Sequence, residues 1–177
     1  MGGVGTQCRR DIFLHYSNKR EGRSIMNDYT EGKPINILLV EDNPGDVRLT
    51  VEALKDCKVS NKVHVVIDGE QAVQFLRKKG KFLDAPKPDL ILLDWNLPKK
   101  NGSEVLSEIK TDEELKTIPV IILTTSKAHQ DIYKAYGLHA NCYITKPVDL
   151  NQFLSAVNTI EDFWFTIVKL PPEKNAQ

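Results

Sequence analysis

The chain has 177 residues, 24 of them Lys or Arg and 24 Asp or Glu, so its formal net charge is zero. That length suits one domain with tails, and the balanced charge argues against nucleic acid or a membrane surface as the main partner. No apolar run approaches the ~20 residues needed to span a bilayer, and the N-terminus lacks the apolar stretch of a secretory signal.

Residues 1–34 are polar, rich in Gly and Arg and without periodicity, and are expected to form a poorly ordered tail. Within them Met1-Gly2-Gly3-Val4-Gly5-Thr6 fits the loose myristoylation pattern, which we read as coincidence. Met26 stands shortly before the first apolar run, so residues 1–25 are expected to be dispensable for folding. One domain is expected over 35–168, with 169–177 as a C-terminal tail. The first strand is read at Ile35–Val40, followed by a helix over Asp46–Lys55 with Val47, Val51 and Leu54 on one stripe. A short strand at Val63–Ile67 turns through Asp68-Gly69 into a helix carrying Ala72, Val73 and Leu76. A Gly-, Pro- and Lys-rich loop fills 80–89. Leu90–Asp94 is the third strand, and four large apolar residues in a row mark it as buried on both faces. After the turn at Lys99-Lys100-Asn101-Gly102, where Gly102 suits a positive φ or a close backbone approach, a helix spans Ser103–Thr111. The fourth strand is Pro119–Thr124, and Gln130–Tyr136 is a short helix closed by Gly137. The fifth strand is Cys142–Ile144, and Asp149 caps a last helix reaching about Val168. Strands alternating with helices imply an α/β fold, a parallel sheet with helices on both faces and right-handed crossovers.

The three cysteines, Cys8, Cys57 and Cys142, form no CxxC pair. That usage fits a reduced cytosolic protein without structural disulfides or zinc. Cys57 and Cys142 lie in apolar contexts and read as small core residues.

Chemistry gathers at the strand ends. Glu41-Asp42 follow the first strand, Asp94 ends the third, Thr124 ends the fourth and Lys146 follows the fifth. In an open parallel sheet these carboxyl ends make one edge, where ligands bind. Taken singly, each residue has an ordinary explanation: Asp94 as a helix cap, Glu41-Asp42 as turn acids, Thr124 as a strand end, Lys146 as a loop lysine. Their joint occurrence favours a site. Three carboxylates at one edge stay ionised together only beside a cation. An all-oxygen set points to a hard ion, best Mg²⁺, which also holds phosphate oxygens. Lys146 adds a positive charge and Thr124 a hydroxyl donor, which together suit a dianionic phosphoryl group. Asp94 is then the nucleophile that becomes an acyl phosphate. Asp42 is the main metal ligand, Glu41 binds the ion directly or through water, and the backbone carbonyl of Asn96 completes the shell.

These stretches resemble the signature of response-regulator receiver domains of two-component signalling: Glu41-Asp42-Asn43, Asp94-Trp95-Asn96-Leu97-Pro98 with Gly102, Thr124, and Lys146-Pro147. The resemblance covers about residues 35–168. It implies a flavodoxin-like sheet of order 2-1-3-4-5 and Asp94 as the residue phosphorylated by a histidine kinase. It makes Asp42, Asp94 and the Asn96 carbonyl the Mg²⁺ ligands, with Glu41 as auxiliary acid. It also implies Thr124 as the switch hydroxyl, Lys146 as the phosphate-binding lysine and Tyr143 as the switch aromatic. Asn96 and Ser126 fall where the phosphate's lifetime is tuned. The expected protein is no conventional enzyme, since it catalyses only its own phosphorylation and dephosphorylation, and it is expected in the cytoplasm. Pro44-Gly45-Asp46-Val47-Arg48-Leu49, His139-Ala140-Asn141-Cys142-Tyr143-Ile144 and Phe163-Trp164-Phe165 are similar to the small stand-alone regulators paired with bacterial phytochrome kinases. That likeness implies a light-sensing kinase as partner.

Few residues follow Val168, so output is expected through binding another molecule. In the last helix Leu150, Phe153, Leu154, Val157, Ile160, Trp164 and Ile167 supply a core stripe, which leaves Phe163, Phe165 and Val168 over. A second apolar face predicts a homodimer through this region. The expected switch is a population shift in which phosphate on Asp94 draws in Thr124 and Tyr143 turns inward. Rival readings are an aspartate phosphohydrolase, a flavin-binding module and an unphosphorylated scaffold. The first lacks its general acid, because Asn96 and Pro98 stand at the positions that Asp-x-Asp-x-Thr requires. The second would place Glu41 and Asp42 against a phosphate.

Overall fold

The computed structural model describes residues 34–55, 59–147 and 149–171. The expectations for the N-terminal tail, Met26, Cys8, Cys57 and the end of the C-terminal tail lie outside these residues.

Strands β1 (Ile35–Val40), β2 (Asn61–Val66), β3 (Leu90–Leu93), β4 (Val120–Thr124) and β5 (Cys142–Thr145) pair in parallel in the order β2-β1-β3-β4-β5. Between them run α1 (Pro44–Lys55), α2 (Gly69–Leu76), α3 (Gly102–Thr111) and α4 (His129–Gly137), with α5 (Leu150–Glu161) last. The strand sequences explain the order. β1, β3 and β4 are buried along their whole length, as unbroken apolar runs covered on both faces must be. The more polar β2 and the half-buried β5 lie at the edges.

Alternate strand residues feed two cores. Leu38, Val40, Ile91, Leu93, Val120 and Ile122 pack with Ala72, Phe75, Leu106 and Ile109, so α2 and α3 cover that face. Ile37, Leu39, Leu90, Leu92, Ile121 and Leu123 meet Leu54, Phe153, Val157 and Ile160, so α1 and α5 cover the other. Register then fixes the site. Val40 is paired with Leu93, so Glu41 and Asp94 leave neighbouring strands side by side.

The expected elements are present, with boundaries moved by a residue or two. Two local expectations are corrected, and at Gly102 one of two alternatives holds. Gly102 answers to close approach rather than positive φ: a Cβ there would lie 2.4 Å from the Asp94 carbonyl oxygen, while the positive φ of this turn (63°) falls on Lys99. Gly137 does not close α4. It remains inside the helix, and the left-handed residue is His139 with φ 63°. The last helix changes its winding, because Asp162–Ile167 is a π-helical segment.

That winding rearranges the apolar stripe. A π turn brings residues five apart close to one face, and Phe165 is buried like Ile160 five residues before it; Leu170, beyond the helical residues, is buried as well. Val168 donates its backbone N–H to the Phe163 carbonyl at 2.9 Å, five residues back. Phe165 thus enters the core, Trp164 is half-buried, and Ile167, expected inside, is 70% exposed. The side chain of Leu150 lies outside the described residues.

The two registers are separable by mutation. Phe165→Ala is expected to destabilise the fold by roughly 3 kcal/mol or more in urea unfolding, and Ile167→Ala by less than about 0.5 kcal/mol. The reverse order would favour an uninterrupted α-helix.

Candidate phosphoacceptor and metal site

Glu41, Asp42, Asp94, Thr124 and Lys146 do converge at the carboxyl edge of the sheet. The β1 chain end donates its Glu41 N–H to Val66 O, and Asp94 donates its N–H to Val40 O at 3.0 Å. Three strands are therefore tied where the acids emerge. One carboxylate oxygen from each of Glu41, Asp42 and Asp94 falls within 4.8 Å of the others. The three acids differ in burial. Glu41 is the most enclosed at 2% exposure, Asp94 is 7% exposed and Asp42 lies at the surface. Glu41 directly continues a strand buried on both faces, and Asp42 is the residue at which the chain turns away.

Lys146 organises the acids. Its backbone N–H is held by the Thr124 carbonyl at 2.7 Å. Its buried ammonium donates to Glu41 Oε2, to Asp46 Oδ2 at 2.9 Å and to Asp94 Oδ2 at 3.0 Å. Burial alone would push this lysine down, but the hydrogen bonds to Glu41 and Asp46, with the charge of Asp94, hold it above its ordinary value. Glu41 behaves oppositely. Its burial outweighs the Lys146 bond and lifts the carboxyl to about 6. Asp94 accepts a second bond at Oδ1 from the Asn96 backbone N–H at 3.1 Å.

Thr124 is fully buried but loosely held. Its Oγ1 takes a 3.5 Å contact from Asn96 Nδ2 and a 3.3 Å bond from Ser126 N–H. Ser126 in turn donates from Oγ to Asp131 in the first turn of α4 at 2.5 Å. Tyr143 is half-buried, packs edge-on against Trp95 at 6.4 Å between ring centroids, and donates its hydroxyl to Ser126 O at 3.0 Å. Burial raises the Tyr143 hydroxyl, so it remains a donor.

Two features escaped the sequence reading. Asp46 joins the Lys146 cluster from the first turn of α1, where an acid is expected anyway for the helix dipole. Asp68 caps α2 by accepting from Gln71 N–H at 2.7 Å, and it also binds Lys99 Nζ at 2.6 Å. Burial opposes the Asp68 charge, but Lys99 and Gln71 hold the carboxyl down at about 2. This pair braces the loop after Asp94 against α2. The all-oxygen donor set of Glu41, Asp42 and Asp94, near one lysine, fits a hard divalent cation.

The profile of the response regulator receiver domain family matches residues 37–158. Response regulator Rcp1 of Synechocystis sp. is 47% identical over 138 residues, which cover 78% of this chain and 94% of Rcp1. The crystal structure of the Mn(2+)-bound form of Rcp1 superposes with a TM-score of 0.76, over 78% of this chain and all of that one. The phosphorylated cyanobacterial phytochrome response regulator RcpA is 50% identical, with a TM-score of 0.77 over 79% of this chain and all of that one. No helix among the described residues is long and apolar enough to cross a membrane.

Glu41 gives a pH signature. Because folding raises its carboxyl from 4.5 to about 6, its contribution to stability is fully present below the unfolded value. That contribution is lost as pH rises through about 6. In metal-free buffer, between about pH 4.5 and pH 7, the parent should lose about 2 kcal/mol relative to Glu41→Gln in urea unfolding. No change in the difference would mean that the Lys146 bond offsets burial, and a gain by the parent as pH rises would mean that it outweighs burial.

Proposed function

This chain belongs to the response regulator receiver domain family, and from that premise we propose that it carries its signal as a phosphoryl group on Asp94, received from a sensor histidine kinase of the phytochrome type. The observation that carries the reading is the meeting of Asp94 Oδ2 with Lys146 Nζ at 3.0 Å beside two further acids, Glu41 and Asp42. The likeness to Rcp1 and to a phytochrome response regulator in its phosphorylated form supports the kinase class.

The residues act as follows. An Asp94 carboxylate oxygen attacks phosphorus. A new O–P bond forms as the bond to the donor imidazole breaks, and that electron pair leaves on the imidazole, which takes up a proton. Lys146 meets the phosphoryl oxygens with its ammonium, and Thr124 with its hydroxyl. Asp42, Asp94 and the backbone carbonyl of Asn96 would hold the ion, with Glu41 binding directly or through water. A bound Mg²⁺ supplies charge neutralisation for the acids and the phosphoryl group, and the Mn(2+)-bound Rcp1 structure supports a divalent ion. Asn96 and Ser126 flank the reacting centre and tune the lifetime of the acyl phosphate. In this reading the chain accelerates only its own phosphorylation and dephosphorylation, in the cytoplasm, without nucleic acid or membrane as partner.

The switch follows the hydrogen bonds. Thr124 has little to lose by turning to phosphate, since its contacts are long. Ser126 follows it and pulls on both α4, through Asp131, and Tyr143, through its hydroxyl. The phosphate thereby biases which of two surfaces is populated. Asp94→Asn tests the chemistry. Intact mass after incubation with Mg²⁺ and phosphoramidate should rise by one phosphoryl group in the parent and not in the variant. No gain in the parent, with candidate kinases also supplied, would leave a constitutive binding module.

A homodimer through the C-terminal region is supported by Phe163 and Ile167, which are 48% and 70% exposed. Exposed apolar residues this large mark interfaces when they cluster. Sedimentation of Ile167→Glu should show weakened self-association, with thermal stability kept. An unchanged monomer–dimer equilibrium would move the interface elsewhere.

A further inference from the structure

The Lys99–Asp68 pair joins the loop after Asp94 to the start of α2, and it is not built like a surface pair. The Asp68 side chain is 3% exposed and that of Lys99 54%. Both oxygens of the enclosed carboxylate are used. Oδ1 accepts from Gln71 N–H at 2.7 Å, and Oδ2 accepts from Gln71 Nε2 at 2.7 Å and from Lys99 Nζ at 2.6 Å. An acid so enclosed gains more from one cation than an exposed acid does. Lys99 in turn has a φ of 63°, in the left-handed region that a residue with a side chain keeps only where its surroundings hold it. Two backbone bonds close within the loop, from Lys100 N–H to Pro98 O at 2.8 Å and from Gly102 N–H to Trp95 O at 2.9 Å. The ion pair instead ties the middle of the loop to another element. α2 begins against the same turn, since a Cβ at Gly69 would strike the Lys100 carbonyl.

We propose that Asp68 and Lys99 are positioning residues for the metal site, which hold the loop carrying the Asn96 carbonyl in one conformation before an ion binds. The proposal rests on the reading above in which that carbonyl is a ligand. With the pair broken, the strained turn at Lys99 is free to relax, and the conformation that binds becomes only a fraction of the population. The apparent dissociation constant then rises by the inverse of that fraction. Charge alone predicts something different. Loss of the Lys99 ammonium leaves the acidic edge more negative, which favours a divalent cation, whereas loss of the Asp68 carboxylate disfavours one. Positioning requires both losses to weaken binding, so the sign of the Lys99 effect separates the two. A pair that only supported the fold would alter stability and leave metal affinity alone.

The test is calorimetric titration of the full chain with Mg²⁺ at fixed ionic strength, with urea unfolding alongside. Lys99→Met keeps the length of the side chain and the cost of its φ but removes the tether. Asp68→Asn removes the charge and keeps a cap for α2, a role Asn fills equally well. Each variant is expected to bind Mg²⁺ roughly three- to tenfold more weakly than the parent, as loss of a half-enclosed ion pair that biases one conformation implies. The double variant, in which the two charge changes cancel, should bind no more weakly than the weaker single one, because one pair can be broken only once. Should Asp68→Asn fail to fold, Lys99→Met alone decides the matter. Affinity unchanged or tightened in Lys99→Met would overturn the proposal, whatever happens to stability, as would unchanged affinity in a folded Asp68→Asn or a double variant weakened by the product of the two single effects. A parent that binds no Mg²⁺ would instead overturn the reading of the metal site, and the proposal with it.

Discussion

The ammonium of Lys146 is the point on which the sheet edge depends. Without it, Glu41 and Asp94 would face each other with oxygens within 4.8 Å, a repulsion of about 3 kcal/mol at an effective dielectric constant near 20. One lysine cannot neutralise the whole group. Three carboxylates already share its donors, and Asp42 lies alongside. The edge keeps an excess of negative charge, and burial of Glu41 makes that excess harder to bear. Affinity for a divalent cation follows from this imbalance, and the same positive charges then attract a phosphoryl group to a place that its own acids would otherwise repel.

Rigidity is distributed unevenly around this centre. β1 and β3 are buried from end to end and carry Glu41 and Asp94 in fixed register. The loop after Asp94 is pinned by the Lys99–Asp68 pair and by the contact that forbids a side chain at Gly102. The acceptor and the acids are thus preorganised. α4 is different. Ala135 is its one buried residue, and Tyr133 and Tyr136 are exposed. A helix with so little buried surface is inexpensive to shift, and the bond between Ser126 and Asp131 links it, through the Ser126 N–H, to Thr124, whose hydroxyl contacts are long.

The strand-end residues were legible because position in a parallel sheet is dictated by hydrophobic runs, and those runs are unambiguous in Ile35–Val40, Leu90–Leu93 and Val120–Thr124. What was hidden depends on geometry between distant segments. Asp46 touches Lys146 across 100 residues, and nothing local distinguishes it from any acid in a first helical turn. The winding at Asp162–Ile167 was hidden for another reason. Phe163, Trp164 and Phe165 are consecutive and apolar, so either period finds a residue to bury, and the packing of Phe165 and Leu170 decides between them. The enclosure of Glu41 above Asp94 reflects the turn at Asp42, which periodicity does not reveal.

The two phosphate-facing residues of the proposed switch are joined through the backbone as well as through the ligand. Thr124 pairs with Thr145 across β4 and β5, and the Lys146 N–H is bonded to the Thr124 carbonyl. A movement of Thr124 toward Asp94 therefore carries the end of β5 with it. β5 is an edge strand with one neighbour, so it can follow without breaking a second ladder. Tyr143 lies three residues before Lys146, and an odd spacing along a strand places the two on opposite faces. Lys146 faces the acids, while Tyr143 faces Trp95 and the loop that leads to α4. One short strand thus couples the site of charge to the site of shape, and its loose attachment at the sheet edge makes that coupling possible.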